Sequence, residues 1–183
     1  MRVAYLDIET DYVGKHRDQR LFEDVGNHKI TVIGIRTLQG EEDSFIQLVD
    51  EEVSKKNLMR ELTRLDRIVT YNGRSRPDAL KGRTGFDFPV IGAQLGVVLD
   101  QEFEHLDLVP ECWKRGLYGG QKAVEQTLGL QRILPGKDGA WAGETWRMYK
   151  KLKDDHYLKE LLEYNKEDVF MLYEIEKALK KRR

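Results

Sequence analysis

Cysteine occurs once, at Cys112. An intramolecular disulfide and a cysteine-based zinc cluster are both excluded, and the residue reads as a small buried thiol. No apolar run approaches the roughly 20 residues that cross a bilayer. Asp7 and Glu9 also interrupt the N-terminus before the apolar core of a secretory leader develops. The expected location is the cytoplasm, with no membrane partner. An excess of one charge is missing too, since 31 basic and 32 acidic residues leave a net charge of −1. That balance removes the global basic signature of a nucleic-acid binder. Carboxylates gathered around metal ions would hide a local one, because the ions' own charge is not counted. Internal repeats and low-complexity tracts are lacking. What is present, 40% hydrophobic and 34% charged residues in 183, describes one globular domain, 1–183, with a sizeable core and a solvated surface.

The chain is organised around Val3-Ala4-Tyr5-Leu6-Asp7-Ile8-Glu9-Thr10, an apolar β-type run ending in two acids one residue apart. Alternate side chains of a strand share a face, so Asp7 and Glu9 point one way while Leu6 and Ile8 point the other. Like charges this close resist joint ionisation unless a cation lies between them, and a hard, oxygen-loving ion such as Mg²⁺ suits the pair. Alone, the pair reads as a solvated strand end before it reads as a metal site, because acids are mostly exposed.

Beyond it lies a polar stretch, 11–27, with Lys15, His16, Arg17 and Arg20, either a substrate-facing loop or a solvated connection. Strands are predicted over 29–38 and 44–49, joined by Gln39-Gly40-Glu41-Glu42 as an antiparallel meander. From 51 to 66 the apolar period becomes helical, with Asp50 available as N-cap. Arg67 to Tyr71 is a short buried strand, so the connection crosses over and helices must cover the sheet. Asn72-Gly73 breaks it, and a basic segment with Arg74, Arg76, Lys81 and Arg83 leads to Phe86-Asp87-Phe88-Pro89 and a helix with Pro89 in its first turn. A final strand is predicted over 105–109, and helices over 111–115, 122–128 and 141–151, with Trp141 and Trp146 in or near the core. The last helix, 157–180, carries the clearest apolar stripe. On it Tyr164 and Asp168 lie four residues apart, one above the other. An aspartate beside a phenol in an apolar stripe suggests a site, although Asp168 taken by itself reads as a solvated helix residue.

Asp7-Ile8-Glu9-Thr10, then Tyr71-Asn72-Gly73 with Phe86-Asp87-Phe88-Pro89, then Tyr164-Asn165-Lys166-Glu167-Asp168, in that order, resembles the DEDDy branch of the DnaQ-like 3′-to-5′ exonucleases. His105-Leu106-Asp107-Leu108, Lys122-Ala123-Val124-Glu125 and Leu134-Pro135-Gly136 narrow the likeness to the YprB-type ribonuclease-H-like domains. The resemblance covers nearly the whole chain. It implies an α/β fold of ribonuclease-H type, a mixed five-stranded sheet in which an antiparallel meander continues into parallel strands, flanked by helices.

It also implies a site in which Asp7, Glu9, Asp87 and Asp168 gather two divalent ions, Mg²⁺ or Mn²⁺. Asp7 would bridge both ions, Glu9 and Asp168 would complete the first, and Asp87 would hold the second directly or through water. Such ions sit about 3.5–4 Å apart and clamp the attacking and leaving oxygens of an in-line displacement. Tyr164, with Glu9, would orient the attacking water. The partner implied is nucleic acid with a free 3′ end, DNA favoured and RNA possible, with a helicase or polymerase as a further partner. From another class comes a catalytically idle module that binds nucleic acid or recruits a partner. Clustered acids without metal would only repel one another, which favours the enzyme.

The family places Phe-Asp almost directly after Asn-Gly, whereas here 76–85 intervene. A loop that leaves Asp87 in place accommodates the difference, and the basic segment 74–83 is then expected at the rim of the site, contacting substrate. Thr10 is placed to touch the terminal nucleotide, and Asn72 to position Asp87 or touch substrate, unless it is simply a turn residue. Gln121, where the family has an apolar residue, reads as a surface change. Asp107 reads as a helix cap and His105 as a packed or hydrogen-bonded neighbour rather than as extra ligands. Lys177, Lys180, Lys181, Arg182 and Arg183 suit a helix C-terminus without any nucleic acid.

Overall fold

The computed structural model describes residues 1–14, 24–74 and 85–182. Among these residues five segments form strands: β1 (Arg2–Tyr12), β2 (His28–Gln39), β3 (Glu42–Val49), β4 (Arg67–Thr70) and β5 (Glu104–Asp107). They make one sheet of order β3-β2-β1-β4-β5. β1 pairs antiparallel with β2, which pairs antiparallel with β3, while β4 and β5 continue the sheet in parallel. This is the expected mixed sheet with helices on its faces.

The alternation along β1 decides which residues face which helices. Ala4, Leu6 and Ile8 join Ile33 and Ile35 in a core closed by Leu58, Phe88 and Ile91, from α1 (Lys55–Glu61) and α2 (Asp87–Leu95). Beyond α2 lies a single helical turn, α3 (Leu99–Glu102), which the sequence pattern does not reveal. Val3 and Tyr5 face the other way, into a core with Cys112, Val124, Val169, Leu172 and Ile175. Its roof is α4 (Leu108–Trp113), α5 (Gln121–Leu128) and α7 (Asp155–Lys181). A third cluster joins Val32 to Ala142 and Trp146 of α6 (Gly139–Leu152) and to Leu161 and Tyr164 of α7. Cys112 is fully buried as expected, and burial pushes its thiol up to about 11.

Two boundaries differ from the sequence reading. The helix predicted over 51–66 with an Asp50 cap is shorter: a 3₁₀ turn, Asp50–Glu52, precedes α1, and Ser54 is the cap, accepting from the Asn57 amide at 3.3 Å. Asp50 has φ +49 and is held by Lys150 at 2.6 Å and Lys29 at 3.7 Å, so its carboxylate serves cations rather than a helix. Arg64, at φ +62, follows the early end of α1. The strand predicted over 105–109 stops at Asp107, whose side chain accepts from the Val109 amide at 3.0 Å and starts α4 at Leu108 rather than 111. Among the described residues, no helix is long and apolar enough to cross a membrane.

Candidate active site

Asp7 and Glu9 share parity with Val3 and Tyr5, so they lie on the sheet face that α7 covers. α7 brings Tyr164, Asn165 and Asp168 to the same place. One carboxylate oxygen from each of Asp7, Glu9 and Asp168 lies within 4.8 Å of the others. Glu9 and Asp168 are only 5% and 7% exposed. The reading of Asp168 as a solvated helix residue is therefore corrected, because this part of α7 runs beneath α5, α6 and the connection between them rather than along the surface.

Close approach of α7 depends on Gly34, which pairs with Asp7 across the ladder. A Cβ there would collide with Asn165 Oδ1 and lie 2.8 Å from Val169 Cγ2. With glycine in place, Asn165 Nδ2 donates to Asp7 Oδ2 at 3.1 Å, while its Oδ1 accepts from Gln47 at 3.0 Å. The strand acid and the helix are thereby locked together.

Asp87 arrives from the start of α2 and is 6% exposed. Its backbone is set by a closed neck: Phe86 N donates to Asn72 O at 2.7 Å, and Phe88 N to Gly73 O at 2.8 Å. Asn72 adopts φ +64, a conformation asparagine tolerates better than most residues, and its amide donates to Asp107 Oδ1 at 3.0 Å. A Cβ on Gly85 would overlap the Arg74 carbonyl, so Arg74 and Gly85 meet backbone to backbone. The chain rejoins the fold where it left, with Asp87 in the electrostatic reach of Asp7 and Asp168 but outside the 4.8 Å group.

Other expected residues lie further out. Arg74 is half-exposed and pairs with Asp100 at 3.0 Å. Arg76, Lys81 and Arg83 lie outside the described residues, as do Lys15, His16, Arg17 and Arg20. Thr10 follows an irregularity in the β1–β2 register after Glu9, and its hydroxyl hydrogen-bonds His28 Nδ1 at 3.0 Å. His105 hydrogen-bonds Thr70 at 2.9 Å and packs on Phe88 at 4.3 Å between ring centres.

The electrostatics are those of crowded, dehydrated acids. Burial first, then the Asp168 carboxylate, holds Asp7 well above the usual carboxylate range. Burial and Asp7 do the same to Glu9 and to Asp87. Asp168 is raised by burial despite the pull of Arg132 and Lys122. Burial and the facing carboxylates push the Tyr164 phenol upward, so it keeps its proton.

Two cations that the sequence reading gave no role complete the surroundings. Lys122 Nζ donates to Tyr164 Oη at 2.5 Å, sits 4.4 Å above its ring and lies 3.9 Å from Asp168 Oδ2. The Arg132 guanidinium, 8% exposed, bonds Glu125 and Asp168. Gln121 is not a surface change: its Nε2 donates to Glu125 Oε1 at 2.9 Å and to the Asp168 carbonyl at 3.0 Å. A signal for Arg132 existed in its setting, a lone cation inside the run Leu130-Gln131-Arg132-Ile133-Leu134.

The donor set fits a hard divalent cation. The three grouped atoms are all carboxylate oxygens, the ligand type such an ion prefers, and burying them together is costly where their charge is not fully offset. A family model described as RNase_H_2, of the RNase_H superfamily, matches residues 4–180, a span that holds β1 from Ala4 onward, β2 to β5 and each acid of the cluster. No curated protein matches the chain. Such a family match points to a nuclease or nucleic-acid-binding role and to divalent metal use. With matching fold and nearly end-to-end coverage, the chain belongs to the RNase H superfamily.

Proposed function

We propose that the chain is a metal-dependent 3′-to-5′ exonuclease of the DEDDy, DnaQ-like type, close to the YprB group, which releases nucleoside 5′-monophosphates from a nucleic-acid end. The observation that carries this reading is the meeting of Asp7, Glu9 and Asp168 within 4.8 Å, with Tyr164 four residues before Asp168 on the same helix. Asp7, Glu9 and Asp168 would hold one divalent ion, and Asp7 with Asp87 a second. Bound there, the ions would supply Lewis-acid activation of water and neutralise charge on the reacting phosphate. Tyr164, kept protonated and held by Lys122, positions the attacking water rather than acting as a base. Glu9 accepts a hydrogen bond from the same water, and Thr10 and Asn72 border the terminal nucleotide.

Incubation of end-labelled DNA and RNA with the protein and Mg²⁺ or Mn²⁺ tests the reading. A ladder shortening from the 3′ end is expected, whereas intact substrate under all conditions would leave only the binding module. A Tyr164→Phe variant should cut the rate by ~10- to 1000-fold, the range of a lost positioning contact, with metal affinity by calorimetry nearly unchanged. A large loss of metal binding would make the phenol part of the metal site instead.

The basic segment belongs to the same proposal, as a clamp on the substrate backbone. Replacing Arg74, Arg76, Lys81 and Arg83 by Ala should weaken binding to all sequences alike. It should also flatten the slope of log affinity against log salt by about 0.7 per lost phosphate contact on single strands, measured in Ca²⁺ to suppress cleavage. Identical slopes and affinities would remove the segment from the substrate path.

A further inference from the structure

Arg132 lies in the connection between α5 and α6, on neither strand nor helix, yet its side chain is only 8% exposed. A dehydrated guanidinium is retained only where carboxylates offset its charge. Three do so here, from two helices. Glu125 of α5 takes Nε and Nη2 as a fork, Asp168 of α7 accepts from Nη2 through Oδ1, and Glu167 of α7 stands 3.7 Å from Nη1. Burial opposes the guanidinium charge, but Glu125 and Asp168 together hold it firmly protonated.

We infer that Arg132 is a positioning residue of the acid cluster, a buried guanidinium that grips Asp168 by one oxygen and ties its orientation to the packing of α5. This rests on the reading of Asp168 as a cation ligand, but not on any reaction. Gripping Oδ1 leaves Oδ2, the oxygen 3.9 Å from Lys122 Nζ, as the one the guanidinium does not engage. A carboxylate fixed in this way cannot rotate to present both oxygens to one ion. Around it the scaffold is rigid on two further sides. Gln121 holds the Asp168 backbone carbonyl, and Glu167 accepts from the Ile133 and Leu134 amides, which anchors the connection that carries Arg132. A point cation could not replace this arrangement, because only a planar fork reaches Glu125 and Asp168 at once.

The test is Ca²⁺ binding by calorimetry to wild type, Arg132→Lys and Glu167→Gln, each melted in EDTA to confirm folding. Arg132→Lys keeps the charge and loses the fork, so it isolates geometry from electrostatics. It should weaken Ca²⁺ binding by about 10- to 100-fold, the usual cost of losing a group that orients a ligand. Glu167→Gln belongs to the same buried network but grips backbone rather than the cluster. It should lower the melting temperature and weaken Ca²⁺ binding by clearly less than Arg132→Lys does, because it reaches Asp168 only through Arg132 and the connection.

Wild-type affinity in Arg132→Lys, or an equal loss in both variants, overturns the inference, the first by showing a purely structural ion pair and the second a general loosening. Should Arg132→Lys fail to fold, Glu125→Gln is measured instead. It leaves the guanidinium but withdraws the charge of its second anchor, and wild-type affinity there is equally fatal. Absence of Ca²⁺ binding to wild type overturns the inference as well. Absence of nuclease activity alongside normal Ca²⁺ binding would sink only the exonuclease reading.

Discussion

Asp7→Asn is expected to abolish turnover, by roughly 10³-fold or more, while leaving the fold intact and slightly more stable without metal. The substitution is nearly isosteric and keeps an oxygen to accept from Asn165, whose Nδ2 lies 3.1 Å from Asp7 Oδ2. It removes the carboxylate that acts most strongly on both Glu9 and Asp87, ahead of Asp168, so part of the repulsion raising those two acids relaxes. Loss of activity together with an unchanged or raised melting temperature in EDTA is therefore the signature of a functional acid that the fold tolerates rather than needs. Cleavage at the wild-type rate by a pure Asp7→Asn preparation would exclude Asp7 from the chemistry.

The second large effect concerns stability, pH and metal together. Asp7, Glu9, Asp87 and Asp168 all have folded-state values above their ordinary 3.8 or 4.5. For a raised acid, the folded state binds its proton more tightly than the unfolded chain. Its contribution is complete below the ordinary value and is lost as pH rises through the folded one. In EDTA the melting temperature should therefore fall as pH climbs from about 5 towards neutrality. Asp43 beside Arg36, Asp50 beside Lys150 and Glu111 beside Lys114 are lowered instead. What they contribute is lost only as pH drops below 3.8 to 4.5, so they do not mask the slope. A divalent cation at a hundred times its Kd adds about 2.7 kcal/mol, or roughly 5–10 °C in a domain of this size. Because it needs ionised ligands, its benefit grows with pH. Melts from about pH 5 to 8 with EDTA and with Mn²⁺ should diverge. Parallel curves would show that these acids hold no cation.

What was legible in the sequence was whatever a single element decides. Period-two alternation puts Asp7 and Glu9 on one face of β1, and period-3.6 spacing stacks Tyr164 over Asp168 on α7; both follow from local geometry. Nearness of strand to helix is tertiary. It passes through Gly34, whose missing side chain makes room for Asn165. Arg132 and Gln121 escaped for the same reason: their bonds to Asp168 span 36 and 47 residues, and no periodicity encodes such a pairing. The start of α1 was misplaced because Asp50 and Ser54 are both good caps. The choice fell to Lys29 and Lys150, which claim the aspartate from other parts of the chain.

The neck between Asn72-Gly73 and Phe86-Phe88 has an architectural consequence. Arg74 and Gly85 meet backbone to backbone, so the position of Asp87 is set by the neck itself. Longer connections in general cost little, about 0.6 kcal/mol for each doubling of length. The neck is thus an insertion port beside the acids. A lineage, or an engineer, can change the sequence between the two sides of the neck without retuning the carboxylates beneath.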